Sequence, residues 1–483
     1  MIEKIAKNTA AIIVANIIEM LFNMLISISL ARYFGQNGFG KLSFLFVFFF
    51  FITSNDNLLI KPILAREMSR DKANAPVIIG NGMIIRALFS LSTVLLLWVT
   101  IWLVKCPADI VQLAVFTSIG LFMASLAGSY ESIFQVNLNV WYFKTANLSC
   151  LLGTLFMLYA VIFLKGNLLQ FYILSLIPGF IFLGLAKHYA DKFIKPRFSI
   201  DLQVWRVLFK GSWPLLLTSI FIFIYHRIDQ VLLLGMKGAL EVGSYSVAVK
   251  FAELFNIVPV ALTASMLPVM SLYFKTSRPN FDKMYRLGFK YLLLLIIPVA
   301  VWASLFSGEI VSFIYGKQFL SSGTALAILI WAEIFVFVGI VNNAILVASD
   351  KQALDPLFTG VSAVVNIIMN LLLIPKYGFI GAALSSLIAY PVGPVMGYFI
   401  KTTRPYSSSM LYYSLKPLVA SSLMFVFIYF TRNIFWLAFF VSPFIYVLIL
   451  CLVKGINKED MKLVRSIIYY PRIKWMKEPV SWQ

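Results

Sequence analysis

About fourteen stretches of roughly twenty mainly apolar residues follow one another along this chain of 483 residues. Each is long enough to cross the hydrocarbon core of a bilayer. Their limits read as 9–31, 42–60, 79–104, 110–130, 145–164, 168–187, 213–235, 246–271, 289–307, 323–348, 357–374, 379–400, 414–430 and 434–453. No water is available there to bond exposed backbone, so runs of this length must close their hydrogen bonds as helices. The expected fold class is an all-α polytopic membrane protein with about 14 transmembrane helices. Two stretches are interrupted: the second by Ser54-Asn55-Asp56-Asn57, the ninth by Pro298. The first follows Lys4 and Lys7 but is too long for a signal-peptide core, so it reads as a retained helix.

Composition agrees. Hydrophobic residues make up 61% and charged residues only 12%, against roughly 25% charged in a soluble protein. A soluble enzyme and a disordered chain are both excluded. Cys106, Cys150 and Cys451 lie far apart and the histidines are only His188 and His226, so no metal cluster or disulfide framework is expected. No GxxxxGK[ST] phosphate loop is present, so the chain does not hydrolyse ATP itself.

The net charge of +20 reads as topology. With the N-terminus inside, about 29 Lys and Arg fall on inner segments and about eight on outer ones. That bias places both termini in the cytoplasm and removes the case for nucleic acid as a partner. The segment 188–212 is polar and reads as a cytoplasmic linker between an N-terminal lobe (1–187, spans 1–6) and a C-terminal lobe (213–400, spans 7–12). Spans 13 and 14 occupy 401–453, and 454–483 is a basic, amphipathic tail expected to lie on the inner membrane surface.

The outer corners repeat. Gly38-Phe39-Gly40-Lys41-Leu42-Ser43 after the first span aligns with Val242-Gly243-Ser244-Tyr245-Ser246 after the seventh, Gly40 on Gly243 and Ser43 on Ser246, at an offset of 203. A third version is Pro375-Lys376-Tyr377-Gly378-Phe379-Ile380-Gly381-Ala382-Ala383-Leu384. Internal repeats of this kind are a feature of alternating-access transporters, although Gly-aromatic turns are also common between membrane helices.

Three motifs carry a family resemblance. Arg227-Ile228-Asp229-Gln230 with Leu234-Gly235 and Val242-Gly243-Ser244-Tyr245, then Tyr315-Gly316-Lys317-Gln318-Phe319, then Pro375 to Leu384, resemble segments of the O-antigen and polysaccharide flippases in the multidrug/oligosaccharidyl-lipid/polysaccharide exporter superfamily. The resemblance covers almost the whole chain. It implies two six-helix lobes in a V around a central cavity plus two C-terminal helices. It also implies movement of undecaprenyl-diphosphate-linked oligosaccharide from the inner to the outer leaflet of a bacterial cytoplasmic membrane. A polysaccharide polymerase and ligase are the implied protein partners. No cofactor is expected beyond a coupling H+ or Na+. The rival on the same architecture is a drug/cation antiporter of the multidrug and toxin extrusion type. A membrane-embedded glycan polymerase or ligase would need larger outer loops.

Ionised groups inside the spans are the site candidates, since each costs about 2.5–3.5 kcal/mol at mid-bilayer on insertion scales. Asn16, Glu19 and Asn23 form one stripe of the first helix, facing either the cavity or a neighbouring helix. Arg227, Asp229, Lys250, Glu253 and Asn256 cluster on the seventh and eighth helices. In the transport reading Arg227 and Lys250 hold the anionic head, while Asp229 and Glu253 orient them or carry the coupling ion. In the other, two ion pairs merely hold the helices together. Arg86 meets substrate from the inner leaflet or snorkels to the headgroups; Arg32 is a further substrate-binding candidate, and Glu333 and Glu19 are cavity or ion-coupling candidates.

Overall fold

The computed structural model describes residues 2–55, 61–431 and 433–455. Asp56 and the basic tail from 456 onward lie outside them. Among the described residues every regular element is helical: α1 (Ile2–Asn55), α2 (Lys61–Arg70), α3 (Ala75–Val104), α4 (Ala108–Val136), α5 (Val140–Phe163), α6 (Leu168–Ala190), α7 (Leu202–Lys237), α8 (Ala239–Ala252), α9 (Ile257–Thr276), α10 (Arg278–Leu305), α11 (Ser307–Tyr315), α12 (Ser322–Ala348), α13 (Asp355–Ala389), α14 (Val392–Phe399), α15 (Arg404–Thr431) and α16 (Phe435–Leu452).

Among the described residues twelve segments are long and apolar enough to span a membrane. The two longest, Val14–Asn55 with 42 residues and Gln352–Phe399 with 48, run to roughly 60–70 Å at 1.5 Å per residue against a core of roughly 30 Å. Each breaks at a glycine in the left-handed region, Gly35 (φ 69°) and Gly378 (φ 57°), where a side chain would be strained. Counting each broken segment as two crossings gives fourteen, the number expected from the sequence. The outer surface suits lipid. Trp102, Phe156, Phe163, Phe430, Trp436 and Phe444 are all exposed, an arrangement that water would not tolerate.

The chain forms two compact units. The first comprises 1–255, 307–332 and 349–396. A cluster at one end of it joins Leu64 and Met68 of α2, Ile79 and Met83 of α3, Ile133 and Phe134 of α4, Phe143 of α5 and Ala186 of α6. Lys61 and Glu131 form an ion pair beside it. The polar linker is fastened down there. Arg197 N donates to Pro76 O at 2.8 Å, and Asn81 Oδ1 accepts from Asp201 N at 3.0 Å and Trp205 Nε1 at 2.8 Å. Asp201 in turn caps α7 by accepting from Gln203 N.

The repeated corners meet each other within this unit. A Cβ on Gly40 would lie 1.7 Å from Ala239 O, and one on Gly243 would lie 1.9 Å from Gln36 O. Gln36 and Ala239 are themselves 203 residues apart, so the two contacts are equivalents under the sequence repeat. The crossing of α1 and α8 is therefore locally two-fold, and it is close because neither helix carries a side chain there. In the third corner Glu241 Oε2 accepts from Phe379 N at 2.8 Å, a carboxylate at the start of the second arm of α13.

Among the described residues the second unit comprises 256–306, 333–348 and the chain from 397 onward. Its α10 and α16 exchange hydrogen bonds at their prolines. Pro298 cannot donate to Leu294 O, and Tyr446 Oη donates to that carbonyl at 2.7 Å. Pro443 cannot donate to Phe439 O, and Trp302 Nε1 donates to that one at 3.1 Å. Each freed carbonyl finds its partner on the opposite helix, which is how a membrane helix tolerates proline.

Candidate functional site

α7 and α8 join at Gly238 (φ 88°). Arg227 lies eleven residues before that turn, and Lys250 and Glu253 lie twelve and fifteen after it. At 1.5 Å per residue all three sit roughly 16–23 Å from the turn, within the apolar segments Leu216–Lys237 and Ala239–Thr276. The level match brings Arg227 Nη2 to 2.9 Å from Glu253 Oε1 and 3.0 Å from Oε2. The guanidinium also stacks on Phe50, its Cζ 4.3 Å from the ring centroid. Arg227 is only 8% exposed.

Arg227 lines a cavity of about 380 Å³. Asn23, Ser43 and Phe50 of α1, Gln230 of α7, and Ser246 and Lys250 of α8 line it too. Lys250 is exposed into this space and forms no salt bridge or hydrogen bond among the described residues. Ser43 and Ser246, the aligned pair of the repeat, are 5% and 2% exposed, and their hydroxyls have no hydrogen-bond partner among the described residues. One uncommitted cation and two unsatisfied buried hydroxyls therefore converge on one space at membrane depth. Such groups need water or a polar ligand.

The expected residues divide. Asn23, Arg227 and Lys250 share the cavity, and Glu253 joins through Arg227. Asp229 points the other way, as a two-residue spacing on a helix requires. It is 1% exposed and accepts from Tyr245 Oη and from Gln230 N. Tyr245 Oη lies 3.3 Å from Ser386 Oγ, so Asp229 ties α7 to α8 and α13. Glu19 pairs with Lys144 of α5 at 2.9 Å, while Asn23 Nδ2 donates to Glu19 O at 2.8 Å. Arg32 Nε donates to Ile314 O at 2.8 Å, with Nη2 on Phe313 O; it holds the Tyr-Gly loop against the first corner, where Gln318 Nε2 donates to Arg32 O at 3.2 Å. Arg86 is 0% exposed, enclosed by protein instead of extended toward the headgroups. Glu333 is buried in α12, within the second unit.

Sequence reasoning missed Phe50 and Lys144, and named Gln230 only as part of the family motif. A lone Phe among 44 carries no signal. Ser43 and Ser246 were marked by the repeat, but as turn residues and not as part of a site.

A family model for polysaccharide biosynthesis proteins matches residues 5–274, more than half the chain, and one for MatE proteins matches 214–372. The probable low-salt glycan biosynthesis flippase Agl15 of Haloferax volcanii is 25% identical over 192 residues, 40% of this chain and 41% of the relative. The chain thus spans less than half the length of that relative, as it does of others it matches. The capsular polysaccharide biosynthesis protein CapF of Staphylococcus aureus is 25% identical over 415 residues, 81% of this chain and 98% of the relative. In three dimensions the chain is similar to the lipid II flippase MurJ in an inward closed conformation, with a TM-score of 0.73, 18% identity, and coverage of 95% of this chain and 99% of that one. At that identity the likeness is one of fold.

Proposed function

Starting from the fact that this chain belongs to the polysaccharide biosynthesis protein family, a family of multi-pass membrane transporters and not of enzymes, we propose that it is a flippase for lipid-linked oligosaccharides. Its cargo is the polyprenyl-diphosphate-linked repeat unit of an O-antigen or other surface polysaccharide, moved from the inner to the outer leaflet of the cytoplasmic membrane. Both termini face the cytoplasm, and a polymerase and ligase take up the product.

The observation that carries this reading is the polar cavity at membrane depth with Lys250 uncommitted inside it. A sugar diphosphate cannot cross hydrocarbon with its hydroxyls and phosphates unsatisfied. Lys250 and Arg227 supply positive charge for the diphosphate, and Ser43, Ser246, Asn23 and Gln230 offer hydrogen bonds to sugar hydroxyls. The lipid tail remains in the bilayer. On this reading alternating access is a movement of the two sequence halves, 1–187 and 213–400, with an H+ or Na+ gradient driving the cycle. Glu253 and Asp229 are the carboxylates suited to carry that ion, with Glu19 and Glu333 as further candidates.

The same cavity disfavours a drug/cation antiporter. Its two cations face the space, and its nearest carboxylate, Glu253, is already paired with Arg227, so a cationic drug meets repulsion. Lys250→Ala is expected to lower export of lipid-linked glycan at least tenfold at matched protein level, the loss of roughly 1.5–3 kcal/mol for a hydrogen bond to a charged group. Ethidium efflux is expected to be absent from wild type and variant alike. Unchanged export in Lys250→Ala would remove the assigned role, and efflux abolished by the substitution would favour the antiporter.

A further inference from the structure

A second cavity, about 710 Å³ in volume, lies in the second unit, far along the chain from the residues used above. Arg278, Lys283, Arg286 and Lys290 of α10 line it, with Lys416 of α15 and Lys454 just beyond α16. Asp282 is the one carboxylate among the lining residues. All six cations belong to segments that the charge bias assigns to the cytoplasmic side.

A positive-inside bias alone would scatter such charges over the inner loops. Here they are concentrated. Arg278, Asp282, Arg286 and Lys290 follow at four-residue steps along one face of α10. Arg278 is committed, 3.4 Å from Asp282 and stacked over Phe281. Lys416 Nζ donates to Lys454 O at 2.8 Å, closing one wall of the cavity. Lys283 and Arg286 are exposed. Leu287, Leu294 and Leu415 also line it, Leu294 one turn past Lys290 along α10, so apolar walls stand beside the basic groups.

We propose that this cavity is a binding site for an anionic phospholipid of the inner leaflet, its phosphate among Lys283, Arg286 and Lys290 and its acyl chain along the leucines. Basic groups and leucines lining one cavity suit such a lipid, and a basic pocket between helices at the cytoplasmic surface attracts acidic headgroups. The site is separate from the transport cavity, and its occupancy does not depend on the flippase reading.

Native mass spectrometry of the full-length chain tests the assignment, with phosphatidylglycerol, cardiolipin and phosphatidylcholine titrated separately. The wild type is expected to retain the anionic lipids about tenfold more tightly than phosphatidylcholine. The double variant Lys283→Gln/Arg286→Gln, whose side chains are exposed and whose melting temperature in phosphatidylcholine should not change, is expected to lose that preference by about tenfold or more, the effect of removing two charges near a lipid surface. Equal retention of the anionic lipids by wild type and variant would overturn the proposal. So would inorganic diphosphate binding as tightly as the lipid, since the acyl chain would then contribute nothing.

Discussion

Arg227→Leu is expected to accumulate poorly and melt early, whereas the double variant Arg227→Leu/Glu253→Leu folds and still fails to export. The single change leaves the Glu253 carboxylate, whose side chain is 23% exposed, without its partner inside an apolar segment and removes the stacking on Phe50. Breaking a buried ion pair by deleting one member costs about 3–5 kcal/mol, while replacing both members by apolar residues is often neutral. Stability and transport therefore separate. If the pair serves only to hold α7 to α8, the double variant regains both melting temperature and export. If the pair also serves transport, through Arg227 on the cargo or Glu253 on the coupling ion, the double variant regains the first alone, with export lowered by tenfold or more as for Lys250→Ala. Melting curves in detergent and glycan export in cells, at matched protein level, give the two readouts.

Much of this arrangement was legible in the sequence, and the division has a physical basis. Span number was readable because each crossing needs its own apolar run, and the doubled segments betray themselves by Gly35 and Gly378 at the outer corners. Arg227 and Lys250 stood out because charge is rare in lipid. What charge alone does not reveal is direction. Glu19 is used by Lys144 of α5, Asp229 by Tyr245 of α8, and Arg32 by two carbonyls far along the chain. These partners are contributed by tertiary packing, which helical periodicity does not predict. The prolines show the same limit. Pro298 marks a freed carbonyl, but only the structure shows Tyr446 and Trp302 trading bonds across α10 and α16.

Gly40→Ala and Gly243→Ala are each expected to destabilise the protein, by similar amounts, and the double variant by less than the sum. Each added methyl would sit under 2 Å from a backbone carbonyl on the facing helix. No rotamer change relieves a clash with backbone, so α1 and α8 must separate. Overpacking typically costs about 1–3 kcal/mol, occasionally more. The near equality follows from the repeat, because Gly40 on Ala239 and Gly243 on Gln36 are one contact seen from two sides. The shortfall in the double variant follows because the first separation makes room for the second methyl, as coupled neighbours do. Gly184→Ala in α6 is the control: nothing lies within 4 Å of its Cβ position, and alanine favours a helix over glycine by up to about 1 kcal/mol. Its melting temperature should stay level or rise while those of the crossing variants fall. Full additivity of Gly40→Ala and Gly243→Ala would mean that the two contacts are independent and that the two-fold crossing does not move as a unit. Ser43 and Ser246 lie three residues beyond the two glycines. Any separation of the helices must therefore also open the cavity between them, and export should fall further in these variants than stability alone accounts for.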